Sequence, residues 1–215
     1  MMTKNKKLIE NYLDELFKNP KCELNYTKDY ELLIAIVLSA QSTDKRVNEC
    51  TKILFKEYET LEALKDAPIT RIKAIIKPIG SYNKKSEYIK QIAKKLVEEY
   101  DGKVPTDRDI LITFPGVGRK TINVFLSEFY NYPAIAVDTH VERVSKRLNL
   151  ANSTDDVLTI EKKLMKFYDK EKWAKRHLQM VLFGRYYCKA KKPECTNCKL
   201  KEICKEKMES VNKIV

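Results

Sequence analysis

Apolar residues recur along this chain at spacings of three and four, and the every-second-residue alternation of a half-buried strand is nearly absent. That period belongs to the α-helix, so the pattern predicts an almost wholly helical protein. Helices are expected at Lys4–Phe17, ending before Asn19-Pro20, and at Asp29–Ser39, Thr43–Tyr58, Leu61–Lys65 and Thr70–Lys77. The stretch ELLIAIVL, Glu31 to Leu38, is apolar around the helix circumference and predicts a central helix buried on every side. Asn83–Tyr100 carries lysines on one face and Ile89, Ile92, Ala93, Leu96 and Val97 on the other, and stops at Asp101-Gly102. Thr106, with Asp109 three residues on, reads as the cap of a short helix over Asp107–Thr113. Arg119–Tyr130 follows, closed by Asn131 and Pro133. Helices near Thr139–Leu148, Asp155–Tyr168 (with Ser153 and Asp156 marking its start) and Lys172–Tyr187 complete the set.

Glycine is scarce, with 5 in 215 residues, and 7 prolines punctuate the segments. No repeat or low-complexity linker breaks the pattern, and the length suits one large domain or two small ones that bury a core without disulfides. Lys and Arg number 42 against 30 Asp and Glu, a formal net charge of +12. Such an excess favours a polyanionic partner, nucleic acid or an acidic membrane face; a solvated lysine-rich surface is the plainer alternative. The N-terminal MMTKNKKLIENYLDELF lacks the apolar centre of a signal peptide, and Leu32–Leu38 is too short to span a bilayer. The expectation is a cytoplasmic protein whose thiols stay reduced.

Four of the six cysteines fall in CKAKKPECTNCKLKEIC: Cys188, Cys195, Cys198 and Cys204, with six, two and five residues between them. The segment is polar and too short for a core, so a metal centre would supply its folding free energy. Thiolates suit zinc or an iron–sulfur cluster, and spacing alone leaves those two open, with a pair of disulfides less favoured in a reducing compartment. Cys22 and Cys50 lie far from this loop and read as ordinary free cysteines.

Phe114-Pro115-Gly116-Val117-Gly118 joins two predicted helices. Both glycines permit positive φ and close backbone approach. The loop ends at a helix N-terminus, where unpaired N–H groups and the dipole favour an anion such as a phosphodiester. Such a helix–hairpin–helix grips the DNA backbone without reading sequence; a simple glycine turn between packed helices is the alternative. Lys120 lies in the first turn of that helix beside Arg119, where the dipole disfavours a cation. An amine that gives up its proton easily is a nucleophile suited to Schiff-base chemistry at a sugar C1′, and a second phosphate-binding lysine is the rival reading. Asp138, in AVDTH, reads as the N-cap of the next helix. A carboxylate held there also suits stabilisation of positive charge on a deoxyribose ring.

The hairpin FPGVGRKT (114–121), VDTH (137–140) with its aspartate eighteen residues beyond the lysine, and C-x6-C-x2-C-x5-C near the end occur in this order. Together with ELLIAIVLSAQSTD (31–44) they resemble endonuclease III, a DNA glycosylase and abasic-site lyase of base excision repair, over nearly the whole chain. The resemblance implies an all-α helix–hairpin–helix glycosylase fold in two helical domains flanking a DNA-binding groove. One is a six-helix domain over 22–132; the other joins 1–21 to 133–215 and ends in a [4Fe–4S] cluster loop. By motif match Lys120 is the nucleophile, Asp138 the catalytic carboxylate, and Cys188, Cys195, Cys198 and Cys204 the cluster ligands, which on the resemblance decides the choice against zinc. Gly116, Val117, Gly118 and Arg119 match the phosphate-gripping hairpin, Gln41 the residue that enters the gap left by a flipped nucleotide, and Asp44 and His140 positions at the pocket mouth.

The implied partner is double-stranded DNA containing damaged bases or abasic sites, bound by a monomer associated with the nucleoid and with no membrane. The implied substrates are mainly oxidised pyrimidines. The family often carries G-L-Y-N, whose leucine wedges beside the orphaned base; here the stretch is GSYN, with Ser81 at that place. The resemblance then implies weaker support of the opposite base, or a neighbour such as Ile79 or Tyr82 in the wedge role. A second variation, FGR at Phe183–Arg185 for HGR, carries no functional expectation. Related adenine glycosylases, and mismatch thymine or uracil glycosylases, tend to lack the lysine. A non-enzymatic hairpin module is the reading from a different class.

Overall fold

The computed structural model describes residues 2–206. No strand occurs among them, in keeping with the helical period of the sequence. The chain divides into two compact units, Cys22–Tyr130, and Met1–Lys21 with Asn131–Val215.

The Cys22–Tyr130 unit contains α2 (Asp29–Ser39), α3 (Asp44–Glu57), α4 (Leu61–Asp66), α5 (Ile69–Ile76), α6 (Tyr82–Glu99), α7 (Arg108–Leu111) and α8 (Arg119–Tyr130). Its centre is α2, every residue of which from Tyr30 to Leu38 is buried. Helices α3, α6 and α8 pack around it, and α6 in turn covers α4 and α5. The start of α2 is fixed by Glu31, whose Oε2 accepts the Thr27 N–H at 2.7 Å, the Lys28 N–H at 3.2 Å and the Thr27 hydroxyl at 2.9 Å. Asp29 ties the segment after α6 to the same place, accepting the Val104 N–H at 2.8 Å.

One expected cap falls on a neighbouring residue, and another falls on one member of the expected pair. Asp107, not Thr106, caps α7, because its Oδ1 reaches the N–H groups of both Asp109 (2.8 Å) and Ile110 (3.1 Å). That helix is a single turn, since Thr113 and Phe114 donate to carbonyls only three residues back as the chain tightens into the hairpin. In the second unit Asp156, without Ser153, caps α10 by accepting the Thr159 N–H at 2.8 Å.

That second unit contains α1 (Met2–Leu16), α9 (Thr139–Arg147), α10 (Val157–Phe167) and α11 (Trp173–Tyr186), with 3₁₀ turns at Lys170–Lys172 and Lys201–Ile203. Helix α11 packs on α9 and α1 around Ile9, Leu13, Val141, Val144, Leu164 and Phe183. A buried Arg176 joins α11 to α1, pairing through both terminal nitrogens with Asp14 at 2.9 and 3.0 Å. Asp14 loses some solvation, but Arg176, Lys175 and Gln179 hold its carboxyl well below the usual carboxylate range. No described helix is long and apolar enough to cross a membrane.

Candidate active site

The hairpin is a tight turn feeding a helix. Val117 N–H closes on the Phe114 carbonyl at 3.1 Å, and Ile122 N–H makes the first bond of α8 back to Gly118 at 3.0 Å. Phe114 and Val117 are buried and anchor the turn, while Gly116, Gly118, Arg119 and Lys120 are exposed. The two glycines differ in kind. Gly116 has φ +76°, and a Cβ there would stand 2.7 Å from the Tyr88 ring and 3.0 Å from Val37 of α2. The fold itself requires that glycine. Gly118 has no positive φ, and a Cβ there would meet nothing within 4 Å. The expectation of positive φ therefore holds for Gly116 alone, and the bare backbone at Gly118 leaves an approach from outside the chain open. Next to it, the first amides of α8 have no carbonyl one turn behind them. Lys120 sits in that first turn and makes no ion pair or hydrogen bond among the described residues.

Ahead of α9, Ala134, Ile135, Ala136 and Val137 are all buried, which pins the extended segment that delivers Asp138. Asp138 caps α9, and both of its bonds, from His140 N–H (2.9 Å) and Val141 N–H (2.8 Å), go to Oδ1. One carboxylate oxygen thus anchors the helix, and Oδ2 has no hydrogen-bond donor among the described residues. His140 is half-buried, with Nδ1 3.2 Å from Arg143 Nη2. A Cβ on Gly184 would lie 2.8 Å from that of His140, so α11 crosses α9 at a distance only glycine allows. Arg143 spans the crossing, donating to the carbonyls of Gly184 (2.6 Å) and Cys188 (3.0 Å). Sequence reading missed both residues; the available signal was a lone glycine inside a long helical pattern.

In the other unit, Gln41 and Ser81 occupy neighbouring turns. Both are exposed, and both have left-handed backbone, φ 56° and 57°. The turns are tied where Gly80 N–H donates to Ser42 Oγ at 3.3 Å, and a Cβ on Gly80 would sit 3.4 Å from the Gln41 carbonyl. Asp44 begins α3, behind the Thr43 cap. Ile79 is 1% exposed and belongs to the core, so it is not available as a wedge, and Tyr82 packs half-buried against the same core. Lys85 is a further residue the sequence reading passed over. It was placed with the solvent-facing lysines, yet it is 6% exposed, because it falls on the apolar stripe four residues before Ile89.

Cys188, Cys195, Cys198 and Cys204 line one cavity of about 350 Å³, whose other walls include Leu148, Phe183 and Leu200. Among the described residues no three His, Cys, Asp or Glu side chains gather closely enough to hold a single metal ion. Burial pushes the thiols of Cys188 and Cys198 up, and Arg147, 3.3 Å from Cys188 Sγ, offsets part of this at Cys188. Cys22 is half-buried and Cys50 buried, both outside this cavity.

Residues 34–170 match the model of the HhH-GPD superfamily of base excision DNA repair proteins. Endonuclease III of Bacillus subtilis (strain 168) is 46% identical over 205 residues, covering 94% of each chain. Endonuclease III of Escherichia coli (strain K12) is 42% identical over 207 residues, covering 96% of this chain and 98% of that one. Among solved structures, a trapped endonuclease III–DNA covalent intermediate, in an estranged-adenine complex, superposes with TM-score 0.90 at 45% identity, over 96% of this chain and 98% of that one. A thermostable thymine-DNA glycosylase, at 22% identity and TM-score 0.84, over 96% of this chain and 98% of that one, shares the fold. With the hairpin, the capped aspartate and the cysteine-lined cavity set in such a frame, the chain belongs to the endonuclease III family of the HhH-GPD superfamily.

Proposed function

We propose that this protein is a bifunctional base excision repair enzyme. It removes damaged, mainly oxidised, pyrimidines from double-stranded DNA and cleaves the resulting abasic site through a Schiff base on Lys120. The observation that carries this reading is the unpaired amine of Lys120 in the first turn of α8, directly behind the hairpin. A phosphate accepts hydrogen bonds from first-turn amides at that helix start, and Gly118 leaves the approach open. The damaged nucleotide leaves the stack at a cost of a few kcal/mol, lower where the lesion already weakens pairing.

The neutral Lys120 amine attacks C1′, the glycosidic bond breaks and the base departs with a proton. The sugar ring opens to an imine, and loss of a C2′ proton expels the 3′ phosphate by β-elimination. Asp138 stabilises the positive charge that develops on the sugar, or moves a proton, with the oxygen that α9 does not use. The trapped covalent intermediate of an endonuclease III with DNA supports this sequence. Gln41 and Ser81 fill the gap left by the flipped nucleotide, and Asp44 and His140 border the pocket. A serine in place of a leucine supports the opposite base less, since it has no apolar surface to wedge or desolvate.

The cysteine cavity fits a [4Fe–4S] cluster, with one thiolate from each of Cys188, Cys195, Cys198 and Cys204. Four thiols facing one cavity suit such a cluster, and the family resemblance favours it over a single tetrahedral zinc ion. The cluster supplies folding free energy to a loop with little core of its own. The protein works as a monomer with the nucleoid.

Three outcomes are expected. Borohydride reduction with abasic-site duplex yields a covalent adduct mapping to Lys120, and Lys120→Ala yields none; an adduct on another residue moves the nucleophile off Lys120, and none with the parent chain leaves a DNA-binding scaffold or a monofunctional glycosylase. Gly118→Ala changes unfolding free energy by no more than about 0.5 kcal/mol but weakens binding to abasic-site duplex. Gly116→Ala costs about 1–3 kcal/mol in urea unfolding, and equal behaviour of the two variants would remove the distinction drawn between them. Elemental analysis finds iron and acid-labile sulfide in equal amounts, whereas stoichiometric zinc would overturn the cluster assignment.

A further inference from the structure

Lys85 is a buried cation with no carboxylate beside it. Its side chain is 6% exposed, and its Nζ donates to the Leu38 carbonyl at 3.0 Å and to the Ala40 carbonyl. Those carbonyls belong to the C-terminal end of α2, where the last C=O groups have no helical donor and the dipole is negative. The ammonium therefore caps α2 where its buried stretch ends, at the buried Leu38 and the exposed Ala40. The next residue after Ala40 is Gln41. The backbone N–H of Lys85 meanwhile donates to the Ser81 carbonyl at 3.1 Å, the first bond of α6. One residue thus holds both turns, that of Gln41 by its side chain and that of Ser81 by its backbone.

The two turns need holding. Gln41 and Ser81 each sit at positive φ without being glycine, a conformation that costs on the order of 1–3 kcal/mol and persists only where the surroundings impose it. Both side chains are exposed, so neither is fixed by packing of its own. The Gly80–Ser42 hydrogen bond is a second tie between the same turns.

We propose that Lys85 is the positioning residue for nucleotide eversion: by capping α2 it sets Gln41 against Ser81 so that the two enter the DNA stack as one rigid unit. This rests on the reading that Gln41 and Ser81 fill the gap left by the flipped nucleotide. The role belongs to duplex substrates, because an abasic site in a single strand has no stack to enter.

The test compares lyase turnover on an abasic site in single-stranded and in duplex DNA, with 2-aminopurine opposite the site reporting the orphaned base. Lys85→Met removes the ammonium and keeps most of the volume. Duplex kcat/KM is expected to fall by about tenfold to a hundredfold, the scale on which small misplacements act, with a weakened fluorescence change and single-strand turnover unchanged. Lys85→Arg, which restores donors to the same carbonyls, recovers part of the duplex rate. Ser42→Ala, which cuts only the second tie, lowers the duplex rate more mildly and keeps the test open should Lys85→Met fail to fold. Equal losses on both substrates make Lys85 a purely structural cap and overturn the proposal, as does an unchanged duplex rate in Lys85→Met or in a folded Ser42→Ala that stands in for it. A Gln41→Ala/Ser81→Gly double variant separates the two layers: if it leaves the duplex rate and the fluorescence intact, the gap-filling reading itself fails, whatever Lys85 does.

Discussion

A helix buried on every side leaves few of its backbone groups to water, and much of what is distinctive in the Cys22–Tyr130 unit follows from how the two ends of α2 are met by protein groups. Its residues from Tyr30 to Leu38 are buried, and protein groups meet its backbone at both limits of that stretch. Glu31 gathers donors at the start, and the ammonium of Lys85 closes the end. The price of that arrangement is a buried charge, which burial shifts toward its neutral form. In return α2 is a fixed reference. Val37 limits the space at Gly116, so the hairpin is seated against it, and α8 packs along it. The turns at Gln41 and Ser81 leave from its capped end.

The same physics, applied to exposed helix ends, yields the chemistry. The start of α8 is a helix N-terminus of the kind that suits a phosphate, and it puts the Lys120 amine there without a counter-charge. The start of α9 is capped by Asp138, through one oxygen only. The capping role and the proposed catalytic role therefore do not compete for the same atom. In the second unit the α9–α11 crossing at Gly184, bridged by Arg143, connects that capped helix to the first cysteine of the cavity.

Features set by period and by local turn chemistry were legible in the sequence. The apolar run at Leu32–Leu38 announced a central helix, the glycines of the hairpin a turn, and the four cysteines a common centre. What escaped depends on tertiary contacts that no local pattern encodes. Lys85 reads as a surface lysine until α2 supplies its carbonyls, although its place on the apolar stripe was a usable sign. Gly116 and Gly118 look alike in the sequence, and only Tyr88 and Val37 distinguish them. Thr106 lost the cap of α7 to Asp107 because a carboxylate one residue nearer reaches two donors. Gly184 gained its reason only when α9 was found against it.

On the proposed reading, helix ends and the turns beside them, and not the lysine-rich helix faces, carry the contact with DNA. Amide hydrogen exchange measured with and without a duplex containing a tetrahydrofuran abasic site tests it most directly. Slowed exchange should concentrate at the amides from Gly116 to Thr121 and around Gln41 and Ser81, with the interior of α6 unchanged. Protection spread over the lysine-rich helix faces, with the hairpin amides exchanging as in the free protein, would contradict the account.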